Sequence, residues 1–579
     1  MIVNIFEWDY LMKNLQVAKI LNEIADILEM QNVEFKPRAY RKAARTVESL
    51  SEPIEEVYQE KRLKELSGVG ESIATKIAEV VETGTSQYLE KLKKQIPVDV
   101  EALTSIEGMG PKSVKKLYEK LKIKTLDDLV RAARQREIRE IKGFGPKTEK
   151  KILEHLELAR RGTERILLGF ALPIAEEIKE QLRKRGAVNQ VEITGSLRRM
   201  KETIGDIDIL VSSIKPEKTA DFFVGMEDVR DVLAKGITKC SVILKSSIRV
   251  DLRIVEAKSF GSALMYFTGS KDHNIKLRKI AMTKSYKLNE YGLFKKDEQI
   301  AGETEEKVYG KLGMDWIPPE LRENQDEIEV AKKHKLPKLI EYDAIKGDLQ
   351  VHTKWMDGQN NIEQIAKAAK ALGYSYICIT DHYSKMVIAG GLNDHQIKKE
   401  IEEIEKTNKK LEGIEILKGA EVDIDQDGAL QAKKSILKDL DIVIASVHSY
   451  FNQPKKKMTK RLVSAMESGY VNILGHPTGR KIRTRKSNPI DMNDLFEASK
   501  RTGTYLEINA FPERLDLNDF HARAAKEAGC RLVINTDAHN IEHLKFMRLG
   551  VAVARRGWAE QKDVINTLAL KGLMKLIKS

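Results

Sequence analysis

Two hydrophobic rhythms divide this chain. Near the middle, Gly205-Asp-Ile-Asp-Ile-Leu-Val211 alternates acids with β-branched residues, and Ile248-Arg-Val-Asp-Leu-Arg-Ile-Val255 repeats the alternation with one acid, Asp251. Period two predicts strands. In the first, Ile207, Ile209 and Val211 face the core while Asp206 and Asp208 leave the other face. Upstream the rhythm is helical: Leu15, Ala18, Leu21, Ile24, Ala25 and Leu28 recur at 3.6-residue spacing over 11–30 and predict an amphipathic helix. From Lys346 onward, seven short apolar runs alternate with helical stretches such as 362–372 and 522–528. The runs are 348–352, 377–382, 416–421, 442–448, 471–476, 505–509 and 532–539. Each ends in polar, ligand-type residues, and a parallel barrel gathers such ends on one face.

The central strands already imply chemistry. Two carboxylates on one strand face repel unless a cation sits between them, and an adjacent strand about 5 Å away can add Asp251. All-oxygen ligands favour Mg²⁺, with Mn²⁺ able to substitute. Three carboxylates holding two cations suit in-line phosphoryl transfer. Gly195-Ser196, after Val191-Glu-Ile-Thr, offers amides and a hydroxyl for phosphate. Earlier, a repeat emerges: Leu66-Ser-Gly68-Val-Gly70, Ile106-Glu-Gly108-Met-Gly110 and Ile141-Lys-Gly143-Phe-Gly145. Pro111 and Pro146 stand at first helical positions, and Lys112 and Lys147 follow. Glycine turns before a helix expose amides to phosphate.

Gly-Ser-x-Arg-Arg…Gly-Asp-x-Asp, Asp251 and Tyr266-Phe-Thr-Gly-Ser270 together resemble the family X DNA polymerases, the DNA polymerase beta group. The resemblance implies that Asp206, Asp208 and Asp251 are catalytic metal ligands and that Gly195, Ser196 and Arg199 hold the triphosphate. Tyr266, Phe267, Gly269 and Ser270 would form the turn beside the sugar. Asn274, Arg278 and Tyr291 would monitor the minor-groove side of the new base pair. Ile204 stands where the animal enzymes have a phosphate-facing Ser, and Lys271 where they have an Asp near the incoming base. The glycine repeat is similar to the helix-hairpin-helix DNA-backbone clamp. Alignment on Gly68-Val-Gly70 puts Lys76 at the Schiff-base lysine of the family's lyase domain, with Lys36 and Tyr40 in its 5′-phosphate pocket; Ser72 replaces another Lys there.

Five histidines and several acids at the C-terminal strand ends point to Zn²⁺, and the added carboxylates also admit Mn²⁺ or Fe. Such a cluster attacks phosphate esters. The pattern looks like the PHP (polymerase and histidinol phosphatase) domain, a distorted seven-stranded βα barrel with up to three metals. The implied ligands are His352, Asp357, His382, Glu421, His448, His476, Asp537 and His539, and Gln350 replaces the first His of His-x-His. The whole chain resembles a bacterial or archaeal family X polymerase fused to this domain.

Size and charge refine the picture. The 579 residues suggest three or more domains. The expectation is a multidomain α/β protein. A helical lyase-like DNA-binding domain spans 1–95, helix-hairpin-helix fingers 96–162, an α+β nucleotidyltransferase palm 163–258 and a nucleotide-selecting, thumb-like subdomain 259–317. A linker (318–342) and the barrel (343–579) follow. Net charge +13 suits a polyanionic partner, here gapped or nicked duplex DNA with deoxynucleoside triphosphates. Three distant cysteines signal neither disulfides nor a thiolate zinc site. With no export signal and no membrane span, a cytoplasmic monomer is expected. The expected activity is gap-filling DNA polymerisation in repair, with 3′-5′ exonuclease, 3′-end-processing or abasic endonuclease activity from the barrel and 5′-deoxyribose-phosphate lyase activity from Lys76. The alternatives are a phosphoesterase acting on a small metabolite, and a DNA-end-binding scaffold with an inert barrel.

Overall fold

The computed structural model describes all residues except 1–5, 49, 51–52, 105–108, 142, 146–148, 150–164, 185–187, 385–390 and 578–579. Gly108 and Lys147 therefore lie outside the described residues. The N-terminal region is helical, beginning with Phe6–Met30. Its stripe Ala18, Leu21, Ile24, Ala25 and Leu28 is buried at 0–2% exposure, as its spacing requires. This helix packs on Lys36–Glu48 and shares one apolar cluster with the glycine-led helices Glu71–Thr83 and Pro111–Leu121.

Next come β1 (Ile166–Leu167), β2 (Gln190–Ile193), β3 (Thr203–Ile204), β4 (Ile207–Ser212), β5 (Val229–Lys235), β6 (Lys239–Leu244) and β7 (Arg249–Val255). The main sheet runs β2-β4-β7-β6-β5, and β4 and β7 lie parallel with Asp208 opposite Asp251. The alternation does this: Ile207, Ile209 and Val211 are all fully buried, which leaves the acids on the open face. A three-stranded meander, β8 (Tyr286–Asn289), β9 (Gly292–Lys295) and β10 (Glu298–Ala301), belongs to the thumb-like subdomain.

Residues 318–342, read as a linker, are instead packed. Leu321, Ile328, Ala331 and Leu339 join the thumb-side apolar cluster, and Arg322 is fully buried. Charged residues concealed this, because Arg322 is buried by pairing rather than by being apolar.

The barrel strands are β11 (Gly347–Val351), β12 (Tyr376–Ile379), β13 (His382–Tyr383), β14 (Glu415–Asp423), β15 (Ile442–Ser446), β16 (Ile473–Leu474), β17 (Tyr505–Asn509) and β18 (Leu532–Asn535). They run parallel in the order β11-β12-β14-β15-β16-β17-β18, with β13 extending β12 along β14. The Val351–Ala538 bridge and the His352 amide donating to Ala538 O (2.8 Å) nearly close a seven-stranded barrel. One hydrophobic cluster runs from palm residues such as Leu168 and Ile209 into barrel residues such as Ile508 and Leu549. A Cβ on palm Gly169 would lie 2.8 Å from Pro512 of the barrel, so the two halves meet with no space between them.

Candidate active sites

The palm site is built on the β4–β7 pair. Asp206 stands at the bend just before β4, two residues from Asp208, which lies opposite Asp251. Burial, then Asp206, then Asp251, pushes the Asp208 carboxyl up to about 7. That is the signature of carboxylates crowded without a compensating cation. Asp251 is treated differently. Burial works against its charge, but Arg249, Ser241 and Lys239 hold it below the usual carboxylate range. Ser241 Oγ donates to Oδ1 (2.5 Å), Arg249 Nε to Oδ1 (2.9 Å), and Lys239 Nζ lies 3.0 Å from Oδ2. Gly195 cradles the site: at φ +66°, a Cβ there would lie 2.4 Å from Asp208 Oδ2. The donor set, all oxygen and partly unpaired in charge, fits divalent cations.

Around it, Gly195–Arg198 forms a helical turn carrying Ser196, and Arg199 follows at its end. Arg199 Nε donates to Glu323 Oε1 (3.0 Å), and its Nη1 donates to the Thr268 carbonyl. Tyr266 and Phe267 pack edge to face at 5.2 Å, and Arg253 lies 5.0 Å over the Phe267 ring. Gly269, at φ +73°, turns the chain into a helix capped by Ser270 Oγ, which accepts from the His273 amide (3.3 Å). Lys271 opens that helix; Asn274 Nδ2 donates to Tyr266 O (2.6 Å), while Arg278 and Tyr291 are exposed.

The barrel site collects every strand-end ligand named from the sequence. His352, Asp357, His382 and His539 offer atoms within 4.8 Å of one another, as do His382, Glu421 and His448, so His382 bridges the two groups. His476 Nε2 lies 3.2 Å from Glu421 Oε1, and His352 Nε2 lies 3.1 Å from Asp537 Oδ1. Burial opposes charge on His352, yet Asp537, with Asp357 and Glu421, holds it up at about 10; Glu421 and Asp423 do the same for His448. The carboxylates around these rings thus favour positive charge in the pocket, as a cation site requires. His476 goes the other way, to about 4, through burial and then Arg514. Gln350, two residues before His352 on the same strand face, is fully buried, and neither amide atom has a hydrogen-bond partner. That orphaned carboxamide is the observation that fits a cation in this barrel.

Sequence reasoning missed the supports. His448 Nδ1 meets Asp423 (2.5 Å), Asn509 Nδ2 donates to Asp537 Oδ2 (3.1 Å), and Asp381 accepts from the Thr353 amide (2.8 Å) beside His352. Asn509 and Asp381 also end apolar runs, so position was a usable signal for them. Asp423 lies beyond its run and gave none.

In the helical region, Lys76 Nζ donates to Ser72 O (2.9 Å) and Oγ (3.0 Å) and lies 4.7 Å over the Tyr88 ring. Burial, then the Lys36 charge, lowers its pKa. Tyr40 is buried and stacks on Tyr88 at 6.4 Å. Gly68 and Gly143 adopt φ +80° and +103°, whereas a Cβ on Gly70, Gly110 or Gly145 would meet nothing within 4 Å. The second glycine of each repeat thus opens onto free space, with exposed Lys112 just beyond Gly110.

Comparison with known proteins places this architecture. Residues 12–86 match a helix-hairpin-helix domain, 100–158 a SAM-like helix-hairpin-helix tandem, 263–323 the DNA polymerase beta thumb, and 348–510 the PHP domain. These define a class: a polymerase of the DNA polymerase beta type joined to a PHP barrel. The chain is 39% identical over 567 residues to the DNA polymerase/3'-5' exonuclease PolX of Bacillus subtilis (strain 168), covering 97% of this chain and 99% of that one. It belongs to that family, the family X DNA polymerases with a C-terminal PHP domain. A 218-residue stretch, 36% of this chain, is 37% identical to a probable phosphatase of Thermoanaerobacter sp. (strain X514), of which it covers 84%.

Proposed function

We propose that this protein is a template-directed DNA polymerase that fills short gaps during repair and whose barrel trims DNA 3′ ends. The observation that carries the reading is Asp208 facing Asp251 across β4 and β7 beside Asp206, on a palm packed against the histidine–carboxylate barrel. Asp206, Asp208 and Asp251 would hold two divalent cations, with Mg²⁺ favoured by oxygen-only ligands. Such cations supply the charge that makes a primer 3′-hydroxyl nucleophilic and offsets the departing pyrophosphate. The chain's own residues do the rest. Gly195 keeps the carboxylates within reach of the nucleotide, Ser196 and Arg199 bind the triphosphate, and the Tyr266–Ser270 turn positions the sugar. Helix-hairpin-helix amides at Gly70, Gly110 and Gly145 grip the duplex by its phosphates. In the barrel, the eight His, Asp and Glu ligands with Gln350 would hold up to three ions, Zn²⁺ or Mn²⁺. Asp423 and Asn509 fix the orientation of His448 and Asp537. Small-metabolite hydrolysis and an inert scaffold are less well supported, since both centres are assembled.

Primer extension on a gapped duplex is the test, with Asp208→Ala expected to abolish it and His382→Ala to spare it. Removal of 3′ nucleotides should show the reverse pattern. Extension that survives Asp208→Ala would refute the polymerase assignment. A second activity is favoured by one feature: Lys76, partly buried beside Lys36, has the lowered basicity that a Schiff-base nucleophile needs. Borohydride should trap it on a 5′-deoxyribose-phosphate end, and equal trapping by Lys76→Ala would exclude the lyase.

A further inference from the structure

The two centres are joined by one piece of chain whose charges neither of them uses. After ligand His476, the loop carries Arg480, Lys481, Arg483, Arg485 and Lys486, five cations in seven positions. It is a built element. The Gly479 amide donates to His476 O (2.8 Å), Lys481 and Arg485 pair in both directions (2.9 Å), and Ile482 N donates to Glu513 O (2.6 Å). Arg485 Nε donates to Gly479 O (2.7 Å), and its guanidinium lies 3.9 Å over Phe451. From there the loop reaches the palm: Arg480 Nη2 donates to Glu202 Oε2 (2.7 Å), four residues before Asp206.

That contact brings the hairpin to the palm segment Glu202–Thr203, where Arg165 also binds. Arg483 is exposed, and its tip position at φ +73° is held by the hairpin. Arg165 of the palm bonds to Thr203 Oγ1 (2.9 Å) and Thr203 O (2.5 Å), and its Nη1 lies 3.6 Å from where a Gly205 Cβ would be, next to Asp206. Partial desolvation of its side chain against the palm, then the Arg165 charge, lowers the Arg483 pKa, and no carboxylate among the described residues offsets it. A hairpin this rich in guanidinia, docked beside Arg165 of the palm, favours an anionic ligand at the junction.

We propose that the 477–487 loop is a track for the single-stranded 3′ end of DNA, on which Arg483 and Arg165 hold backbone phosphates as the strand runs from the palm carboxylates to the barrel cluster. This rests on the reading above that both centres act on DNA 3′ ends. Phosphate is the fitting partner because guanidinia bind it bidentately and without regard to sequence. The occupant is a strand rather than a free phosphate because the cations are spaced along a hairpin leading from one centre to the other.

The test uses the full chain and a duplex with a short mismatched 3′ end. Binding is read by fluorescence anisotropy across a salt series, and cleavage is referred to turnover of bis-p-nitrophenyl phosphate by the same preparation. Arg483→Glu should lower normalised 3′-nucleotide removal about tenfold, the scale of one charge-assisted contact. It should also reduce the salt slope by about 0.7, one single-strand phosphate. Arg483→Lys should recover part of both, and Arg165→Ala should act in the same direction. An Arg483→Glu protein with wild-type slope and wild-type normalised cleavage overturns the proposal. If wild type binds the frayed end with the expected slope but never cuts it, the track stands and the exonuclease reading falls.

Discussion

Gly195 shows how little tolerance the palm site has. Its φ of +66° costs an L-residue about 1–2 kcal/mol, and a Cβ would overlap Asp208 Oδ2 at 2.4 Å. Gly195→Ala should therefore cut primer extension at least about 100-fold, since displacing a reacting group by about 1 Å costs that much. Barrel hydrolysis should be untouched, because the substitution lies on the palm. Gln350 is the matching position in the barrel. An imidazole there would give a buried, unpartnered site a better zinc donor, so Gln350→His should tighten zinc about tenfold or more, at least what supporting residues contribute. Metal content after dialysis checks it, and unchanged retention would mean that Gln350 lies outside the ion's reach. The Asp206, Asp208 and Asp251 set was legible because strand alternation dictates the face each residue takes. Asp423 and Arg514 were not, since their roles depend on which loops converge, and no local pattern encodes that.

Among the elements, the most consequential surprise is the packed 318–342 segment. It delivers Arg322 to Glu305, which accepts from Arg322 Nη1 (2.6 Å) and Nη2 (3.0 Å), Arg198 Nη1 (2.7 Å) and Nη2 (2.9 Å), and Trp316 Nε1 (2.9 Å). One carboxylate thus fastens the Gly195–Arg198 turn to the thumb. Burial works against its charge, but Arg322 and Arg198 hold its pKa far below the ordinary glutamate value. A depressed folded-state pKa contributes stability that is complete above the unfolded pKa, near 4.3, and lost as pH falls toward the folded one. Glu305→Gln strands the buried guanidinium of Arg322 and the partly buried one of Arg198, and should cost about 3–5 kcal/mol at neutral pH. The variant should also lose less further stability than wild type when the pH drops below about 4. Thermal unfolding of both proteins at pH 7 and pH 4 reads the difference, and parallel pH curves would rule out a charged Glu305 as the fastener. The helices and strands themselves were readable from their periodicity. This clamp was not, because Arg198 lies 107 residues before Glu305 and no local pattern pairs the two.

At the scale of the whole molecule, the barrel is part of the polymerase rather than an appendage. Palm and barrel share one apolar cluster, and a barrel arginine reaches Arg199 and its partner Glu323. Arg556, buried at the end of the helix Met547–Arg556, donates through Nη1 to the Arg199 carbonyl (2.7 Å) and to Glu323 Oε1 (3.1 Å). The same Glu323 oxygen accepts from Arg199 Nε (3.0 Å), so two guanidinia divide one carboxylate. Asp519 anchors Arg556 from the other side, accepting from Nη2 (2.6 Å) and Nε (2.9 Å). Without Arg556, Glu323 would bear more fully on Arg199, shared only with the more distant Lys201 Nζ (3.8 Å), and compete harder with an incoming triphosphate. Arg556→Met should therefore raise the KM for deoxynucleoside triphosphates about tenfold, the weight of one charge-assisted contact. Its kcat should move far less, because the carboxylate cluster keeps its own supports. Adding Glu323→Gln should bring KM back down, which a merely loosened interface would not do. Steady-state extension with the single and double variants decides the matter: a KM that stays raised when the carboxylate is neutralised would make Arg556 a structural bolt and leave the nucleotide site independent of the barrel.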